Sequence, residues 1–370
     1  MGSCDSSMEN RHKLNSKISL SNNKGEFSSN SCTNLSISNY STLNSIHNIK
    51  KYNSQEKANP MQSKQYILPE TIAKREDVFK KYRLSRHILG DGATSIVYLA
   101  ENSSREKFAI KRISKEKMEV RLNVILREAE ICLKLKNKNI IKYYEIYEDL
   151  HFISIVMEQA DTDLFELIIN SPIEFMSEEL IIDFLIQIFE VIDYLHNVVN
   201  IVHCDIKPEN FVVKFDKKNG NKPSLKLIDF GNARRKPLNK EKLFNFSGTM
   251  EYMAPETMGN CGFNEKVDEW AAGIIMFNLL TGADPFSSDN NLGYRDNIKY
   301  KKIKFEYIKN EKLRELNKKL LNRFVANRIT AKEALEEIKQ IKNNLKFGYN
   351  ISNRNIKDFG NNRILLINMS

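Results

Sequence analysis

A chain of 370 residues is long enough to bury a large core, as one sizeable domain or as two lobes with a tail. Its net charge of +10 comes from 57 Lys and Arg against 47 Asp and Glu, spread along the whole length, and no basic stripe interleaved with aromatics marks a nucleic-acid surface. The 5 scattered cysteines, odd in number and never spaced C-x-x-C, argue for reduced thiols without zinc, and no apolar run reaches the ~20 residues of a membrane span.

Residues 1–65 are rich in Ser and Asn and poor in periodic apolar residues, so they bury too little surface to offset chain entropy and read as a disordered tail. The N-terminus lacks a signal peptide's apolar segment. Instead Met1-Gly2-Ser3-Cys4-Asp5-Ser6 fits the N-myristoylation pattern M-G-x-x-x-[ST], with Cys4 close to Gly2 as a palmitate acceptor. One acyl chain holds a membrane marginally and two hold it stably, so Gly2 and Cys4 imply attachment to a cytoplasmic membrane face. Residues 66–81 read as a linker.

Folded patterning starts at Tyr82. Apolar runs flank the turn Leu89-Gly90-Asp91-Gly92-Ala93-Thr94-Ser95-Ile96-Val97, which suggests two strands folding a loop over phosphates; glycines let backbone N–H groups close on an anion. Phe108-Ala109-Ile110-Lys111 is a strand ending in lysine, and the helical stretch 121–135 carries Glu128 and Glu130. Phe152 to Met157 reads as a buried strand, followed by Glu158-Gln159-Ala160 and then Asp163. Residues 177–196 read as a mostly apolar core helix with no chemistry of its own.

The chain is organised around Ile201 to Phe211, an apolar strand end, a polar turn and a second apolar run, with Asp205, Lys207 and Asn210 in the turn. A second strand leads into Asp229-Phe230-Gly231, and Gly248-Thr249 and Ala254-Pro255-Glu256 follow. Asp268-x-Trp270-x-x-Gly273 opens a short apolar stretch that reads as a buried helix, and Arg328 lies late in the chain as a buried partner for Glu256.

In this order and spacing the motifs resemble those of eukaryotic protein kinases, over about Tyr82 to Leu335. Lys207 makes the chain similar to Ser/Thr kinases, and the stretches 127–141, 248–256 and 328–335 look most like the calcium/calmodulin-dependent and calcium-dependent group. The resemblance implies an α+β, two-lobed fold over 82–340. A small β-rich lobe with one helix would span 82–157 and a larger helical lobe 161–340, with ATP and Mg²⁺ between them. It implies that Leu89, Gly90, Asp91, Gly92, Ala93, Thr94, Ser95, Val97 and Ala109 enclose the nucleotide. Met157 would be the gatekeeper, Glu158 and Ala160 would offer backbone to the adenine, and Asp163, Glu209 and Val212 would complete the site. Lys111, held by Glu128 rather than Glu130, would place the phosphates, and Asn210 and Asp229 would hold Mg²⁺. Asp205 would take the substrate hydroxyl proton, Lys207 would steady the γ-phosphate and Thr249 would brace both. Asp163 and Glu209 also match positions that receive an arginine of the substrate, so protein substrates with Ser or Thr near Arg or Lys are expected. Asn278 stands where a further glutamate often sits, which argues against a requirement for two arginines. A monomer is expected.

The chain departs from the family pattern in ways that bear on regulation. Cys204 replaces the arginine of H-R-D, Ser95 replaces the third loop glycine, and the H-P-W segment after Leu335 is missing. No D-x-[DN]-x-[DN]-G-x₅-E loop occurs, so no EF-hand is encoded. Asn245 sits at the usual phosphate position, and no Ser, Thr or Tyr lies between Asp229 and Phe246. The segment is therefore expected to be held by packing, through Phe244 and Phe246, and to work unphosphorylated. The basic tail 341–370 has no assigned role. The alternative reading is a catalytically weak pseudokinase acting as a membrane-anchored scaffold. Ser95 and Cys204 favour it, and the presence of every phosphate- and metal-touching residue opposes it.

Overall fold

The computed structural model describes residues 68–345, apart from 93–94, 117–121, 171–175, 219, 237–240 and 289. The tail expected over 1–65, with Gly2 and Cys4, lies outside the described residues, as do Ala93, Thr94 and residues 346–370.

The small lobe is a five-stranded antiparallel sheet: β1 (Arg83–Asp91), β2 (Ser95–Glu101), β3 (Lys107–Ser114), β4 (Tyr143–Glu148) and β5 (Phe152–Glu158), in the order β1-β2-β3-β5-β4. Register sets what shares its surface. Val97 on β2 pairs with Lys111 on β3, and Ala109 on β3 pairs with Met157 on β5. One helix, α1 (Leu122–Lys134), packs on this sheet.

Beyond β5 the chain forms β6 (Thr162–Asp163), α2 (Leu164–Asn170) and α3 (Glu178–Asn197). Ser177 begins α3 by accepting a bond from Leu180 N at 3.2 Å, as a capping side chain does for an otherwise orphan N–H. Then come β7 (Ile201–Val202), β8 (Phe211–Asp216), β9 (Lys222–Leu227) and β10 (Arg234–Arg235). The helices α4 (Lys266–Thr281), α5 (Asn291–Tyr300) and α6 (Glu311–Leu320) follow, and residues 331–345 form α7. The helix therefore runs past the expected domain end at 340, and Ile341 is buried in the core. The architecture is the small β-rich lobe and larger helical lobe expected from the sequence.

The α4 helix is apolar all round, as a helix at the centre of a core must be. Gly273 lets it approach α6: a Cβ there would lie 2.9 Å from Leu320 Cβ. Trp270 stacks on Phe286 at 5.6 Å, and the guanidinium of Arg328 lies 5.0 Å from the Trp270 ring. Arg328 is fully buried and bonds both oxygens of Glu256 at 2.6 and 2.9 Å, the structural pair expected from the sequence.

Where a linker was expected over 66–81, the chain from Leu68 onward is folded against the small lobe. Leu68, Ala73 and Val78 are buried, and Lys74 forms a parallel bridge with Tyr147 on β4, the edge strand of the sheet. Pairing with that edge satisfies backbone groups that would otherwise face solvent.

Candidate active site

Two groups of polar side chains face one another across the lobes. On the sheet side, Lys111 Nζ lies 3.0 Å from Glu128 Oε1 and 3.8 Å from Asp229 Oδ1. Burial alone would lower the Lys111 pKa, but Glu128 and Asp229 outweigh it and hold the ammonium above the usual lysine range. Burial raises Glu128, and Lys111 offsets that only in part. Asp229 is held below the usual carboxylate range, first by Lys111. Its side chain is 46% exposed, unlike the 5% of Glu128, so one carboxylate is sealed beside the lysine while the other opens to the cleft. The counting that selected Glu128 over Glu130 thus agrees with the geometry.

On the other side, Asp205 Oδ1 accepts from Thr249 N at 3.0 Å and from Thr249 Oγ1 at 2.8 Å. Lys207 Nζ donates to the same Thr249 hydroxyl at 2.8 Å. Asn210 Nδ2 donates to the Asp205 carbonyl at 2.8 Å, leaving Oδ1 as the acceptor end of its amide. Asp205 Oδ2 has only longer neighbours: Asn232 Nδ2 at 3.4 Å, Asn210 Nδ2 at 3.5 Å and Lys207 at 3.7 Å. One oxygen is thereby committed and the other remains able to accept.

Two separate backbone positions beside these groups are left-handed, with φ of 66° at Cys204 and 62° at Asp229. Asp268 at the start of α4 holds the first of them: its Oδ2 accepts from His203 N at 2.7 Å and its Oδ1 from Cys204 N at 2.9 Å. Asp268 is in turn held by His196, whose Nε2 is 2.9 Å from Oδ2 while Nδ1 is 3.2 Å from Glu269 Oε1. Burial would lower the His196 pKa, but Glu269 and Asp268 raise it to about 10, so the ring is an imidazolium in neutral solution. His196, in the last turn of α3, therefore carries a polar support for the active turn, whereas the helix was expected to be a mostly apolar core element with no chemistry of its own.

Val97, Ala109, Met157 and Val212 fall in one apolar cluster with Ile141, and the register sets Asp163 beside Val212. Glu158 turns its carboxylate to Lys214 at 2.5 Å and Lys226 at 3.3 Å, away from its own backbone, while Glu158 N donates to Lys142 O at 2.8 Å and the Ala160 carbonyl accepts from Gln159 Nε2 at 2.6 Å. Gly92 and Ser95 close the β1–β2 turn through a 2.8 Å bond from Gly92 N to Ser95 O, with Leu89, Gly90 and Asp91 on β1 leading into it. Asp163 Oδ1 accepts from Glu166 N at 2.8 Å, and burial raises the pKa values of both Asp163 and Glu209.

The segment after Asp229 is held differently from the expectation. Phe244 is 54% exposed, its ring lying over Gly262, whereas Phe246 packs edge-on against Phe263 at 5.1 Å. Two further holds are Arg234, whose Nη1 and Nη2 donate to the carbonyls of Phe244 and Asn245, each at 2.5 Å, and an antiparallel bridge in which Leu243 and Phe263 exchange two backbone bonds of 2.8 Å. Asn232, Arg234, His196 and Glu269 were not singled out as functional from sequence. Only the count from Asp229 to Asn232 and Arg234 offers a sequence signal for the first two.

Among the described residues no group of three His, Cys, Asp or Glu side chains could hold a metal. Asn210 and Asp229 offer one amide and one carboxylate oxygen. That hard-oxygen set suits Mg²⁺, which keeps few protein ligands and completes its shell with phosphate and water.

Residues 83–338 match the protein kinase domain. Serine/threonine-protein kinase dkf-2 of Caenorhabditis briggsae is 34% identical over 212 residues, 56% of this chain and 17% of its own length. Serine/threonine-protein kinase DCLK2 of Rattus norvegicus is 37% identical over 217 residues, 58% of this chain and 27% of its own. Calcium-dependent protein kinase 5 of Plasmodium berghei is 33% identical over 247 residues, 66% of this chain and 42% of its own. The chain spans less than half the length of each of these relatives.

Proposed function

This chain belongs to the protein kinase family, and we propose that it transfers the γ-phosphate of ATP to Ser or Thr of basic protein segments while tethered to a membrane surface by its N-terminus. The observation that carries the activity is the divided carboxylate of Asp205. Thr249 occupies Oδ1, and Oδ2 is left to accept the hydrogen of an incoming hydroxyl. Lys207, 2.8 Å from the Thr249 hydroxyl, places a positive charge beside that path. Lys111, aligned by Glu128, orients the phosphates from the sheet side. Mg²⁺, held by Asn210 and Asp229, would neutralise phosphate charge.

The preference for basic segments rests on Glu209 and Asp163. Glu209 is partly buried and its Oε2 has no hydrogen-bond partner among the described residues, so the carboxylate keeps acceptor capacity that a guanidinium could use. Asn278, whose amide nitrogen donates to Ile274 O at 2.7 Å and Ala283 O at 3.2 Å once the amide is assigned in its flipped orientation, offers no further carboxylate. The tether rests on Gly2 and Cys4 alone.

The test of activity is ATP-dependent transfer to a peptide panel, with Asp205→Asn as the control. Transfer by wild type and none by the variant supports the reading. No transfer by either would favour the scaffold. Preference for acidic or proline-directed peptides would overturn the basic-site assignment. Gly2→Ala should move the protein from the membrane to the soluble fraction, and unchanged fractionation would make the acylation motif a chance match.

A further inference from the structure

The small lobe has a component that the kinase-domain match does not include. Residues 68–82 precede the matched span of 83–338, yet Leu68, Ala73, Val78 and Tyr82 are all buried. Backbone bonds tie this strap to the sheet edge: Lys74 N donates to Ile146 O, and Glu148 N donates to Lys74 O, both at 2.9 Å. Side chains fix its two ends. Near its start, Glu148 Oε2 accepts from Leu68 N at 2.9 Å and from Arg75 Nη1 at 2.6 Å, while the other Arg75 nitrogen reaches the Leu68 carbonyl. At its end, Glu145 gathers Lys74 at 2.7 Å, Lys81 at 2.8 Å and the hydroxyl of Tyr82 at 2.8 Å.

What the strap covers gives it a consequence for catalysis. Leu68 and Ala73 belong to one apolar cluster with Ile125 and Ala129 of α1. Those positions are four apart and share one face of the helix, and Glu128 lies beside them, one turn on from Ile125. The far end of α1 is secured separately. Asn139, just beyond it, bonds Leu225 O at 3.0 Å and Gln187 at 3.1 Å in the larger lobe. The helix bearing Glu128 thus leads into an anchor on the larger lobe, and its apolar face shares one cluster with Ile113, Ile146, Ile153 and Ile155 of the sheet and with a segment outside the matched domain.

We propose that the strap 68–82 is a positioning element for the Lys111–Glu128 pair, so that its docking on α1 sets how much of the protein is catalytically competent. Loosening Leu68 lets α1 swing and draws Glu128 away from Lys111, which loses phosphate alignment without dismantling the larger lobe.

The test uses the full-length protein with ATP and a basic Ser-containing peptide, and records kcat, KM for ATP and Tm. Leu68→Ala should lower kcat/KM for ATP about tenfold, with Leu68→Met restoring it to within about twofold. Arg75→Ala, which frees the same end of the strap without opening a cavity, should act in the same direction. In a Glu128→Gln background, where the pair is already broken, Leu68→Ala should change kcat/KM by less than about twofold. Folded Leu68→Ala and Arg75→Ala proteins with unchanged kinetics would overturn the proposal. So would an equal loss in the Glu128→Gln background, or failure of both variants to fold, since the strap would then be core with no separable effect.

Discussion

Replacing Arg234 by alanine should show that the segment after Asp229 is ordered by the chain itself and not by a phosphate. The guanidinium makes two bonds of 2.5 Å, to the carbonyls of Phe244 and Asn245. Asn245 holds a left-handed conformation at φ 55°, which asparagine tolerates better than most residues. A hydrogen bond to a charged group contributes about 1.5–3 kcal/mol, and partial solvent exposure of Arg234 reduces this to about 1 kcal/mol each. Losing both would cost about 2 kcal/mol, equivalent to about thirtyfold in the ratio of ordered to disordered segment. Thr249 lies just beyond this segment and braces Asp205, so kcat for peptide phosphorylation should fall by about ten- to thirtyfold in Arg234→Ala, with little change in KM for ATP. The companion assay treats wild-type protein with phosphatase before measuring kcat. Cys204 is buried and a cysteine side chain carries no positive charge in either protonation state, so it cannot grip a phosphate and kcat should not change. A large fall on phosphatase treatment, mapped to Ser247, would refute this reasoning, as would full activity in Arg234→Ala.

Lys111→Met should remove transfer by at least about a hundredfold while the protein stays folded, because Glu128 can protonate when it loses its partner; circular dichroism and a radiolabel assay check both halves. Gly248→Ala should lower kcat at least about tenfold, since the new Cβ would sit 2.6 Å from Cys204 O and 2.7 Å from the Phe246 ring and displace Thr249 from Asp205. His196 carries a pKa raised to about 10 from 6.5, so its stabilising effect is full below pH 6.5 and is lost as pH rises through about 10. The Tm of wild type should fall across that window more steeply than that of His196→Gln, and parallel profiles would contradict the assignment. With no EF-hand loop encoded, kcat of purified protein should be the same in calcium and in chelator, and strong calcium dependence without an added partner would disprove this.

The parts of the site legible in the sequence are those whose chemistry and spacing are local. Asp205, Lys207 and Asn210 fall within one turn, so a short motif holds all three, and Lys111 lies in a strand whose apolar pattern is visible by itself, although the strand runs past the lysine to Ser114 instead of ending there. Glu128 was reachable because α1 has a definite length before Asn139. What escaped reading depends on contacts between distant residues. His196 looks like the end of an apolar helix because the carboxylates that charge it, Asp268 and Glu269, lie 72 and 73 positions away. Arg234 reads as one basic residue among many until its fork meets two carbonyls. The strap eluded periodicity for another reason: Leu68 and Ala73 lie in irregular backbone ahead of the Lys74 bridge and Val78 opens a short 3₁₀ turn, stretches too brief for a repeat to emerge. These hidden elements share a placement, since each touches the catalytic groups through one intermediate: the strap through α1, Arg234 through the segment leading to Thr249, and His196 through Asp268. Catalytic identity is therefore concentrated in short motifs, whereas the controls on competence in this chain lie one contact further out, where its departures from the family pattern, such as Cys204 and Asn245, have room to act.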